Sequence, residues 1–441
     1  MSRRQGIIRG GAWSLAAKSI TAICAIVANA IIARLLSAEV FGTYVIVASL
    51  TLVGSTVGCL GMNNGLIRLV SMNILQDRAN RVRWLVRTVL LTCCVTSLVL
   101  GITGFGFFGS LLSYRVFNSP LLVTVSVPAI IWLFLRTVQQ IVASSFRGLQ
   151  DLRSASIFEG SLTAVLSVIG LIACQVYVDT PTIYHVIVVV VLATAISTLT
   201  GVTSLFTHLP EGKERSELSG IVKLGLPLLI TSTALFSVAE FHVWLLSALR
   251  PEQDVALYGA AQRLVKLVAF PLVVVNSVIP PFIAKLYARN EKEQLETLLR
   301  SAATICALPS LTIVAILATL APDVMNFVFG PFYAAGGTTL AVLVIGHGVN
   351  VMAGSPGVLL LMTGHQKFLM TSAVCSGLFG ILVTYILAPQ WGAAGAATGT
   401  ATTLIAQNLA ILIFARYKIH IRTEMSLALI PMIVRKFISR S

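Results

Sequence analysis

The chain has 441 residues, of which 56% are hydrophobic and only 11% charged, with a net charge of +15. A soluble domain carries about 25% charged residues, so this composition excludes a soluble enzyme and describes a chain built to sit in lipid. The positive balance would fit a nucleic-acid partner only if the basic residues clustered on one soluble face, and they do not.

Apolar runs recur from end to end, each near the ~20 residues that a helix needs to cross ~30 Å of hydrocarbon. The first predicts a span over 11–33. It reads as a retained helix, not a signal peptide, because no small-residue cleavage site closes it and more spans follow. Spans over 43–65, 87–108, 120–145, 156–176 and 183–206 complete a first block. The polar connection HLPEGKERSELSG (His208–Gly220) then separates a second block, with spans over 224–248, 257–283, 301–321, 338–362, 367–388 and 393–415. The expected architecture is all-α and polytopic, with about twelve transmembrane helices in two six-helix bundles around a central cavity. The bundles would occupy 1–207 and 224–415, joined by a linker over 208–223 and followed by a basic tail over 416–441.

The basic residues obey this plan. Twenty-four of the 31 Lys and Arg fall in segments that share one side of the membrane with the amino terminus. Three, Arg34, Arg115 and Arg250, fall in loops on the other side, and four lie inside spans. Such asymmetry places both termini in the cytoplasm of a multi-pass protein of the inner (cytoplasmic) membrane. The charge is a topology signal, and no nucleic acid is expected as a partner.

The four basic residues inside spans are the first candidates for function, since a cation in hydrocarbon costs ~2.5–3.5 kcal/mol on insertion scales. Lys18 lies ~10 Å from the inner end of the first span, close enough to snorkel. Arg136, Gln139 and Gln140 form a stripe at i, i+3 and i+4 on the fourth span, which must face protein or water. Cavity lining and helix–helix hydrogen bonding both fit it. Gln262, Arg263 and Lys266 share a face of the eighth span, ~10–15 Å below its outer end. Glu240 lies ~12 Å from the same end of the span before. A structural salt bridge with one spare cation is one reading of this group. The other is a hydrated cationic cavity, with Glu240 taking up an ion or a proton.

Other features are weaker. Asn29, Asn63 and Asn64 read as interhelical hydrogen bonders, and His242 and His347 as structural. The seven cysteines fall in or at the ends of spans without ligand spacing and read as packing residues. GFGFFG (Gly104–Gly109) spells a dinucleotide fingerprint but closes a membrane span, with no strand before it. GAATG (Gly395–Gly399) fits small-residue helix packing. No HExxH, GxSxG or Walker motif occurs, so neither a metal nor a cofactor is expected. Pro271, Pro280 and Pro281 should bend or break the helix beside the cations, a candidate hinge.

The blocks look like repeats. SAEVFGTYVIVA (Ser37–Ala48) sets Tyr44 where PEQDVALYGAAQ (Pro251–Gln262) sets Tyr258, an offset of 214. RGLQDLRSAS (Arg147–Ser156) sets Gly148 and Gln150 where TGHQKFLMTS (Thr363–Ser372) sets Gly364 and Gln366, an offset of 216. Repeats of this kind are a transporter plan, rocking between inward and outward openings.

IIARLLSAEVFGTYVIVASL near the start resembles the N-terminal motif of bacterial polysaccharide flippases of the Wzx type. LYGAAQRLVKL is similar to that family's second-half counterpart, and WGAAGAATGTATTLI (Trp391–Ile405) to its small-residue-rich last span. The resemblance implies the fold of the exporter superfamily that also contains multidrug and peptidoglycan-precursor transporters. It implies a cargo of undecaprenyl-pyrophosphate-linked O-antigen or exopolysaccharide repeat units, with polymerase and chain-length regulator proteins as partners. The sign of the buried charge agrees, because guanidinium and ammonium groups suit phosphate oxygens and repel cationic drugs. A drug or metabolite exporter of the same superfamily is the rival reading. A polymerase or ligase is the reading from another class, and the short outer connections, roughly 4–16 residues, argue against it.

Overall fold

The computed structural model describes residues 3–76, 79–107, 109–117, 119–209, 240–426 and 428. The described residues are helical throughout, with no strand among them. They divide into two compact units. The first holds Met1–Glu240 with Pro251–Ala256, and the second holds Phe241–Arg250 with Leu257–Ser441.

In the first unit α1 (Arg3–Leu35) leads directly into α2 (Ala38–Gly58). Ser37 makes that short connection possible, because its hydroxyl caps α2 by accepting from the Val40 N–H. Leu60 and Gly61, both at positive φ, then turn the chain into α3 (Met62–Leu75). The sequence reading had run one span over 43–65. The helix in fact begins five residues earlier and stops at Gly58, and α3 is a separate, shorter apolar helix. After α4 (Val82–Gly101) the chain passes through π-helical and short helical pieces to α5 (Ser126–Gly148). Asp151 caps the next span, α6 (Leu152–Tyr177), accepting from the Ser154 N–H at 3.0 Å. This span contains a π-helical turn, Ile157–Ser161, in which Gly160 departs from helical geometry. Thr182 and His185 close a capping box at the start of α7 (Ile183–His208).

In the second unit residues 241–249 are helical, and most of the predicted 224–248 span lies outside the described residues, as does most of the 208–223 linker. The unit continues with α8 (Glu252–Asn276) from Leu257 onward, then α9 (Pro280–Ala288) and α10 (Lys292–Thr319). It closes with α11 (Ala321–Phe329), α12 (Gly337–Ala353), α13 (Pro356–Met362) and α14 (Gln366–Phe414). Pro271 is carried inside α8, whereas Pro280 and Pro281 start α9. The predicted 257–283 span is therefore two helices, broken after Asn276 where two prolines withhold backbone donors. The 338–362 span breaks at Gly354, whose φ of 80° suits only a residue without Cβ. The last two predicted spans, 367–388 and 393–415, are the two limbs of α14, separated by a kink at Gly392, which departs from helical geometry. Among the described residues ten spans are long and apolar enough to cross a membrane. One of them, Gln366–Ile419, has 54 residues, about twice what a single crossing needs.

Between helices already in lipid, burial of apolar surface drives little, and close packing and hydrogen bonds decide the arrangement. The limbs of α14 show the packing term. A Cβ on Gly380 would meet the Gly399 carbonyl, and one on Gly399 would meet the Gly380 carbonyl, so two backbones touch where the small-residue motif predicts they should. His242 shows the hydrogen-bond term. It is 1% exposed, and its Nδ1 and Nε2 meet the hydroxyls of Thr384 at 2.8 Å and Thr403 at 3.3 Å. It ties the 241–249 segment to both limbs of α14.

Candidate substrate cavity

Helix α5 carries Trp132, Arg136, Gln140, Ser144 and Arg147 at steps of three or four residues, hence on one face. That face lines a cavity of about 560 Å³ within the first unit, closed by Thr21, Ala25, Ala28 and Ile32 of α1, by Tyr44, Leu52 and Thr56 of α2, and by residues of α6 and α7. Small residues on α1 open the space by withdrawing side chains from it. The volume falls in the ~300–1,000 Å³ range of ligand sites.

Two rings form one wall. Tyr44 and Trp132 stack with centroids 6.3 Å apart and planes 18° apart, and both are mostly buried. Amides form another part. Gln139 is 6% exposed and donates through Nε2 to Thr163 Oγ1 at 2.7 Å and to Ser197 Oγ at 3.2 Å. Gln140 donates to Ser55 Oγ at 3.0 Å and accepts from Cys59 Sγ at 3.4 Å. The charged lining is Arg136, Arg147 and Glu159, with Arg147 and Glu159 ion-paired. Among the described lining residues the charged groups are thus two guanidiniums and one carboxylate.

The sequence candidates are thus distributed between the two units. Arg136, Gln139 and Gln140 do meet at the cavity. Lys18 is half-buried on α1, one turn before Thr21 on the same face, and is not itself a lining residue. Gln262, Arg263 and Lys266 belong to α8 of the second unit, the first two half-buried and Lys266 exposed. On α12, His347 has a buried Nδ1 with no hydrogen-bond partner among the described residues. Glu240 is helical and half-buried. No group of three or more His, Cys, Asp or Glu suited to a metal occurs among the described residues.

Sequence reasoning missed Arg147 and Glu159. Hydropathy assigns Arg147 to a loop, yet α5 continues through Gly148. The signal was present: Arg147 extends the Arg136–Gln140 stripe by two more turns. Glu159 is legible as an acid inside the predicted 156–176 span, near its inner end, but only the fold brings α6 against that face.

The helical architecture is that of the MATE-type transporters of the MOP superfamily. An inward-facing MATE-family multidrug resistance transporter of that superfamily superposes with a TM-score of 0.75 at 16% identity, over 92% of this chain and 98% of its own. The lipid II flippase MurJ, in an inward closed conformation, gives 0.69 at 15% identity, over 91% of this chain and 86% of its own. A MOP-superfamily transporter from Pyrococcus furiosus, described as having a binding pocket of reverse polarity, gives 0.63 at 16% identity, over 95% and 96% of the two chains. Residues 7–287 match the family described as polysaccharide biosynthesis protein, and the chain belongs to that family. No curated protein sequence matches it.

Proposed function

We propose that this protein is a flippase that moves an undecaprenyl-pyrophosphate-linked oligosaccharide repeat unit from the cytoplasmic to the periplasmic leaflet of the inner membrane. The unit would be an O-antigen (lipopolysaccharide) or exopolysaccharide precursor, and the movement one of alternating access. Family membership supports a role in polysaccharide biosynthesis. The observation that carries the reading is the placement of two guanidiniums, Arg136 and Arg147, on the wall of the first unit's cavity, with one carboxylate among the described lining residues. A pyrophosphate headgroup is anionic, and guanidinium forks match its oxygens. Lys18, Gln262, Arg263 and Lys266 are the further substrate contacts in this reading, and Glu240 the ion- or proton-coupling group. A polysaccharide polymerase and a chain-length regulator are its partners, and both termini lie in the cytoplasm. Its work is transport, not catalysis.

Likeness to a multidrug resistance transporter favours a second reading, export of drugs or metabolites. A deletion strain separates the two. Under the flippase reading lipid-linked repeat units accumulate in the cytoplasmic leaflet and drug sensitivity is unchanged. Broad drug sensitivity with intact surface polysaccharide would replace it with the exporter reading.

A further inference from the structure

The ion pair between Arg147 and Glu159 sits on the wall of the first unit's cavity. The two side chains keep 35% and 46% of their exposure, so protein does not enclose the pair, and an ion pair open to a hydrated cavity is of the weakly held kind. Arg147 lines the same space as Arg136 and Gln140, three residues on one face of α5. A carboxylate fills a guanidinium fork with two oxygens, and a phosphate fills the same fork with two oxygens and more charge.

The backbone around Glu159 suits a side chain that lets go. Glu159 belongs to the π-helical turn Ile157–Ser161 and directly precedes Gly160, where regular helix is already interrupted. One residue further, Ser161 is held firmly, its hydroxyl bonding the Ala17 carbonyl at 3.1 Å and the Thr21 hydroxyl at 2.8 Å. Ser161 anchors α6 to α1, so a movement of Glu159 stays local. A transporter also needs a site that releases what it binds, and a competing internal anion supplies that release.

We propose that Glu159 is a displaceable stand-in for phosphate. It holds the Arg147 fork and yields it when a phosphate or pyrophosphate group enters the cavity, then reclaims it as that group leaves. The identity of the lipid that carries the phosphate rests on the flippase reading above; the exchange itself does not.

The test is equilibrium binding to the purified full-length protein in nanodiscs, with two probes at fixed salt: a polyprenyl pyrophosphate and inorganic pyrophosphate. Glu159→Gln should bind the anion roughly tenfold more tightly than wild type. The double variant Arg147→Met with Glu159→Gln should bind no more tightly than Arg147→Met alone. Unchanged or weaker binding by Glu159→Gln overturns the proposal, and so does a gain that survives without Arg147, which would be a general charge effect. Glu159→Ala carries the same comparison if Glu159→Gln fails to give a monodisperse protein. If the gain appears with inorganic pyrophosphate while the lipid probe does not bind, the exchange stands and the flippase reading falls. If wild type binds the lipid probe and neither Glu159 variant gains, the reading stands and the exchange falls.

Discussion

Gln253 Nε2 donates to Glu39 Oε1 at 3.0 Å, and the two residues lie 214 positions apart in the chain. Each is the second residue of its helix, since α2 begins at Ala38 and α8 at Glu252. The contact belongs to the first unit, which includes Pro251–Ala256. Beside it the backbones come closer still: a Cβ on Gly42 would run into the Glu252 carbonyl. The two features differ in weight. An exposed polar pair contributes ~0–1 kcal/mol, whereas forcing a side chain against fixed backbone costs ~1–3 kcal/mol or more. Gln253→Ala should therefore leave the thermal unfolding midpoint in detergent within a degree or two of wild type, and Gly42→Val should lower it by several. A Gly42→Val protein as stable as wild type would show that the start of α8 can move away freely.

Gln139 makes the opposite kind of prediction, one about stability inside a candidate site. Both amide hydrogens are spent on Thr163 and Ser197, so this side chain ties α5 to α6 and α7 and has no donor left for a ligand. Gln139→Ala should cost ~1–3 kcal/mol of stability. Binding of pyrophosphate by the surviving folded protein should change less than twofold. A large loss of binding with normal stability would move Gln139 from a helix tie to a ligand contact.

The 214-residue register bears on how far the sequence could be read. The sequence comparison pairs Gly148 with Gly364, an offset of 216. The structure pairs the backbone differently. Gln150 and Gly364 both stand at positive φ, at 64° and 82°. Asp151 N–H closes on the Phe146 carbonyl as His365 N–H closes on Leu360, and the next helices begin at Leu152 and Gln366. The offset is again 214, the same as between the starts of α2 and α8. Identity of glycines misled because the conformation, not the residue type, repeats: glutamine holds in one half the left-handed position that glycine holds in the other. Spans were legible because apolar length is a direct demand of the bilayer. Their breaks were less so. Gly354 interrupts a stretch that reads as one apolar span, and Met62–Leu75 is apolar enough to blur into the preceding span. For the site, the stripe through Arg136 was legible as a helical face, while Glu159 required knowing which helix lies opposite.

Glu240 tests the coupling half of the proposed function. A carboxylate that takes up an ion or proton during the cycle makes transport depend on that ion. Glu240→Gln keeps the shape and removes the charge. Transport of lipid-linked repeat units in reconstituted vesicles should then lose its response to an imposed pH or sodium gradient, while binding at equilibrium changes little. A variant responding to both gradients as wild type does would clear Glu240 of this role.

Arg263 and Lys266 carry the strongest prediction from the second unit. They are cations on a membrane-spanning helix, and their retention is costly unless they are hydrated or paired. Lys266 is an exposed residue of α8, not packed away among its neighbouring helices. If these two charges serve an anionic cargo, Arg263→Ala and Lys266→Ala should each reduce surface polysaccharide by an order of magnitude or more, with protein level in the membrane unchanged. Lys266→Arg should retain most of the function, since it preserves charge, and Lys266→Met should not, since it preserves only length. The readout is polysaccharide on the cell surface, normalised to the amount of the variant in isolated membranes. Wild-type polymer from the Ala variants would assign the pair to helix packing and leave the cavity around Arg136 as the only cationic site for cargo among the described residues.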